Sequence, residues 1–110
     1  MGLLIGLIQR RQLKMERSNI AFQMLLITKA MSTAHKSAEG LMQVGTDYES
    51  DPAMTKVLQE RQYKLKVLEE KLTLQKEELQ TRLEEINQEL QSVETMINSE
   101  IKEIFSYKMG

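Results

Sequence analysis

The sequence predicts an all-α fold: two long antiparallel helices closing into a coiled-coil hairpin that oligomerises. Three observations lead there. The residues from Ser50 to Tyr107 contain one proline, Pro52, and no glycine. Their apolar positions follow steps of three and four. The only strong break in the chain, GTDYESD at residues 45–51, is short enough to fold one helix back on another.

The second helix, expected over about 52–108, is the clearer of the two. Pro52 falls in the first turn, where a missing N–H costs nothing. Ser50 and Asp51 are both competent caps, since a short side-chain oxygen can accept from the orphan N–H groups of that turn. Leu, Glu, Lys, Gln and Arg fill the remainder, and these are good helix formers. Leu58, Leu65, Leu68, Leu72, Leu79, Leu83, Ile86, Leu90, Val93, Ile97, Ile101 and Ile104 form a narrow stripe. A stripe that narrow, flanked by charge, is a coiled-coil seam. Successive four-residue steps at Gln75–Leu79–Leu83 and Val93–Ile97–Ile101 are stutters, which locally unwind a supercoil.

The first helix is expected over about 3–44. Leu13, Ile20, Met24, Ile27, Met31, Ala34, Ala38 and Leu41 make its seam, and Met15, Phe22, Leu25 and Leu26 add a further stripe. A helix apolar on several faces is buried by more than one neighbour. Gly45 is expected to end this helix in the left-handed conformation. Placing the turn near Tyr48 and Glu49 pairs residues whose numbers sum to roughly 99. Leu41 then faces Leu58, Ala34 faces Leu65, Ile27 faces Leu72, Ile20 faces Leu79 and Leu13 faces Ile86. The charges suggest the same register, with Arg10 beside Glu89 and Lys14 beside Glu85. That register leaves the chain from about Ile97 onward without an intrachain partner.

Composition narrows the function classes. The 110 residues suggest one domain, with 28% charged side chains, 5% aromatic and no Trp or Cys. The net charge of −1 argues against a nucleic-acid partner. It is unevenly spread: residues 1–44 hold six basic and two acidic side chains, residues 45–110 nine and fourteen. The absence of cysteine excludes a disulfide scaffold and thiolate metal sites, and fits either the cytoplasm or export without disulfides. The apolar run GLLIGLI at residues 2–8 is too short to span a bilayer, lacks the basic flank of a cleavable signal peptide, and has Gly6 where a myristoylation motif wants Ser or Thr. It reads as a subunit contact or a membrane-surface contact.

No catalytic, cofactor-binding or metal site is expected. His35 is the only histidine and has no second ligand near it in sequence. No lysine-threonine pair follows Gly40 or Gly45, so there is no phosphate loop. Paired carboxylates such as Glu69-Glu70 lie on a solvated face, and a rod lacks the concave pocket that catalysis needs.

The residues Ser50-Asp51-Pro52-Ala53-Met54, with Leu58-Gln59 after them, resemble the turn of type III secretion needle subunits. Ile101-Lys102-Glu103-Ile104-Phe105 is similar to the Ile-rich segment on which those chains end. The resemblance covers about 15 positions of 110. It implies a helical hairpin that polymerises into a hollow tube, with its second helix towards the lumen. The chain departs from that pattern in its longer second helix and its apolar amino terminus. A broader likeness runs to axial and filament proteins of flagellar and secretion systems.

The leading expectation is therefore a structural subunit that self-assembles into a filament, tube or ring. The expected assembly residues are Leu3, Leu4, Ile5, Leu7 and Ile8 at the start, Phe22, Leu25 and Leu26 on the extra stripe, and Ile97, Ile101, Ile104 and Phe105 at the end. The expected partner is another copy of the chain. Two alternatives stay open: a small adaptor or chaperone binding another protein's helix, and a peripheral membrane protein held by residues 2–8 with Arg10-Arg11.

Overall fold

In the computed structural model, which describes residues 2–109, two helices account for nearly the whole chain: α1 (Gly2–Asp47) and α2 (Pro52–Met109). No strand occurs among the described residues. The turn between the helices is Tyr48–Asp51.

The start of α2 follows from local chemistry. The Ala53 and Met54 backbone N–H groups donate to the Asp51 carboxylate at 3.1 and 3.3 Å. The Thr55 N–H and hydroxyl both donate to the Asp51 carbonyl, at 2.9 and 2.8 Å. Asp51, rather than Ser50, is thus the cap, and Pro52 is the first helical residue. Replacing Asp51 with alanine removes two acceptor contacts and is expected to cost about 1 kcal/mol, whereas Asp51→Asn keeps most of the cap. Urea denaturation of the two variants checks this, and equal midpoints would show that the carboxylate is not the cap.

The end of α1 corrects the expectation for Gly45. No glycine among the described residues has a positive φ, and α1 continues two residues past Gly45 to Asp47. Its last turn closes with the Tyr48 N–H donating to the Val44 carbonyl at 3.0 Å. Gly45 faces Leu58 with room for a side chain: a Cβ there would stand 3.9 Å from Leu58 Cδ1, an ordinary contact distance.

The chain forms two compact units. Unit 1 comprises residues 1–23 and 79–110; unit 2 comprises residues 24–78. In unit 1, Gly2 lies at Glu100, Gly6 at Met96 and Ile97, and Glu16 at Arg82. Rising numbers on one helix meet falling numbers on the other, so the helices are antiparallel there. The core of this unit holds Ile20, Ile86, Leu90 and Ile97, of which Ile86 is completely buried. In unit 2, the buried side chains are Ala34 and Leu58. Leu41, Leu65 and Leu72 are half-buried.

The register is close to the expected one without being identical. The ion pair gives 16 + 82 = 98, near the expected 99. The glycine contacts give 6 + 97 = 103, 2 + 100 = 102 and 45 + 58 = 103. One consequence is a correction: Ile97, expected to be unpartnered, is 3% exposed and packs over Gly6.

Candidate interaction surfaces

The sites of interest are what each unit leaves uncovered. In unit 1 the outward face of α1 carries Leu4, Leu7, Ile8, Met15 and Phe22, all exposed, Phe22 to 60%. Leu4, Ile8, Arg11, Met15, Ser18 and Phe22 step by 4-3-4-3-4. At 3.6 residues per turn they share a stripe about 80° wide. Gly6, Leu13 and Ile20 lie on the opposite side, where the helix is buried or half-buried. Of the further stripe expected on α1, Met15 and Phe22 belong to this row. Of the other residues expected at an interface, Leu3 is half-buried, while Ile5, Leu25 and Leu26 are exposed.

The charges of unit 1 are arranged differently from the expected pairing. Arg82 gathers three carboxylates: its Nε donates to Glu16 at 2.9 Å, and its Nη1 donates to Glu85 at 3.2 Å and Glu89 at 3.4 Å. The hydrogen bonds to Glu16 and then Glu85 raise the guanidinium pKa above its ordinary value, against a small opposing effect of desolvation. A raised pKa favours the charged form, so this guanidinium stays protonated as pH rises into the usual arginine range. Glu85 and Glu89 are consequently engaged by their own helix, through Arg82, three and seven positions away. Arg10 and Lys14, expected to hold those two carboxylates, form no ion pair among the described residues; neither do Arg11 and Arg17.

At the far end of α2, residues 101–109 are helical and exposed throughout. Ile101, Ile104 and Phe105 prolong the stripe of Ile86, Leu90 and Ile97. Because Gly2 already lies at Glu100, no described residue of α1 covers them.

Unit 2 holds a row that the sequence reading missed. Tyr63, Val67 and Leu74 are exposed, Leu74 to 60%, and step by four and seven along α2. They lie on the side opposite Leu58, Leu65 and Leu72. Both signs of charge flank them, with Lys64, Lys66 and Lys71 beside Glu60, Glu70 and Glu77. The signal in the sequence was the heptad-like spacing itself, hidden by the dense charge around it.

His35 is exposed and its Nε2 lies 3.1 Å from Glu39 Oε1, one turn along α1. Among the described residues no group of three His, Cys, Asp or Glu is placed to hold a metal ion, and no helix is long and apolar enough to cross a membrane. The geometry therefore defines a class, a two-helix chain with ordered apolar rows on its outer faces. No protein-family model, curated protein or solved structure matches the chain.

Proposed function

We propose that the chain is a structural subunit that assembles with further copies of itself into a filament, tube or ring. The observation that carries this reading is the ordering of its exposed apolar side chains. Scattered surface leucines need no explanation, but rows at helical spacing present a continuous strip to a partner. Tyr63, Val67 and Leu74 form such a row in unit 2, and Ile101, Ile104 and Phe105 form another beyond the covered part of the α2 stripe.

The surroundings of the unit 2 row favour a copy of the chain. Mixed lysine and glutamate flanks can pair with themselves when two copies meet, whereas a single-sign flank repels its own image. The row is also narrow, as in a coiled-coil seam, so another helix is its natural cover. The resemblance to type III secretion needle subunits supports the same reading from the turn Ser50–Met54 and the segment Ile101–Phe105.

Negative-stain imaging of the purified chain beside Leu74→Glu and Ile104→Glu tests the proposal. Both positions are exposed, so both variants keep their helix content. The expected result is a regular repeating assembly for the natural chain that is lost in at least one variant. Assemblies unchanged in both would remove these rows from the interface. A partner-binding adaptor would instead leave the natural chain free of regular assemblies.

A further inference from the structure

The cations of α1 are not used by the fold. Over residues 2–38 the only acidic side chain is Glu16, and Arg82 holds it. Arg10, Arg11 and Lys14 form no ion pair among the described residues and lie in or beside the row of Leu4, Leu7, Ile8, Met15 and Phe22. A shallow open groove on this helix is lined by Leu7, Arg10, Arg11, Lys14, Met15 and Ser18, so that apolar side chains and cations meet at one place.

What can cover this face is restricted by its charge. A second copy offering the same face would set three cations against three. The α2 side of unit 1 is acidic, but between Leu74 and Ile101 no large apolar side chain among the described residues is exposed to receive the row. The row of unit 2 is apolar, but as many lysines (Lys64, Lys66, Lys71) as glutamates (Glu60, Glu70, Glu77) flank it, so it offers no net negative charge to these cations. An anionic bilayer surface satisfies both requirements. Its phosphates and carboxylates take the cations, and its acyl boundary takes the apolar row.

We infer that the outer face of α1 between Leu4 and Phe22 docks on anionic lipid bilayers. The helix then lies in the plane of the surface and does not cross it. This surface is separate from the rows assigned to assembly, so it stands whether or not the chain polymerises.

Flotation of the full chain with vesicles tests the inference, comparing phosphatidylcholine alone with a mixture containing about one-third phosphatidylserine. The expected result is flotation with the anionic vesicles only, declining steeply as salt shortens the range of the attraction. Each cation near an anionic surface is worth roughly fivefold in affinity. The triple variant Arg10→Gln, Arg11→Gln, Lys14→Gln is therefore expected to bind about a hundred-fold more weakly. Ile8→Ser with Phe22→Ser should also weaken binding. Circular dichroism verifies that each variant remains helical. Phe22→Trp gives an independent readout in a chain that has no tryptophan, as a blue shift of emission on anionic vesicles. Absence of flotation, equal flotation with both vesicles, or full binding by the triple variant overturns the inference. So does binding to polyglutamate without binding to vesicles, which would assign the face to an acidic protein.

Discussion

Truncating Ile86 to alanine is expected to destabilise the hairpin by about 2–4 kcal/mol, the range for deleting a large aliphatic side chain from a packed interior. Among the described residues Ile86 is the one large side chain with no exposure at all, and it sits in the unit where burial is densest, among Ile20, Leu90 and Ile97. A two-helix core has little material with which to refill a void, which places the cost in the upper part of that range. Urea denaturation followed by circular dichroism measures it, at matched protein concentrations because association also stabilises. The internal control is Phe22→Ala. Its side chain is 60% exposed, so folding stability should shift by less than roughly 0.5 kcal/mol. Equal losses at the two positions would contradict the assignment of one to the core and the other to the surface.

The second large effect is expected at Gly6. A Cβ there would stand 2.9 Å from both Ile97 Cγ1 and Met96 Cε. The methionine end can swing aside, but Ile97 is buried and β-branched and cannot move without the backbone. Gly6→Leu gains up to about 0.8 kcal/mol of helix propensity and loses about 1–3 kcal/mol to overpacking. The net expectation is a loss, concentrated where α1 begins and α2 passes Ile97. Gly40 is the contrast, since nothing lies within 4 Å of a Cβ built there. Gly40→Ala should therefore stabilise by about 0.5–1 kcal/mol through helix propensity alone. Thermal melts of the two variants, with hydrogen exchange at Met96 and Ile97, separate these effects. A Gly6→Leu variant as stable as the natural chain would show that the helices do not approach closely there.

The residues that were legible in the sequence are those whose chemistry is local. Pro52 in a first turn, Asp51 as a cap and the 3–4 rhythm from Leu58 to Ile97 each follow from one helix considered alone. Features that depend on two helices together were less legible. Gly45 carries a stop signal by propensity, yet it stays helical against Leu58. Ile97 looked unpartnered because the register was counted from the turn, whereas it packs over Gly6. Charge pairing misled in a different way. Arg10 and Lys14 were matched to the nearest carboxylates across the register, but Arg82 reaches Glu85 and Glu89 from its own helix and Glu16 from the other. A forked guanidinium can collect several carboxylates at once, which no pairwise matching anticipates. That same misreading concealed the cationic face of α1, whose charges had seemed already spent. The row of Tyr63, Val67 and Leu74 escaped notice because lysine and glutamate separate its members.

These surfaces divide the molecule's work. Seams that face inward hold each unit together. On the proposed reading, the two apolar rows on α2 meet further copies of the chain, and the cationic row on α1 meets a lipid surface. The central claim is the self-association, and sedimentation velocity of the natural chain addresses it most directly. Measured without lipid from about 1 µM to tens of micromolar, the chain should sediment as species larger than one copy, with the share of large species rising with concentration. A single monomeric boundary across the whole range would contradict it.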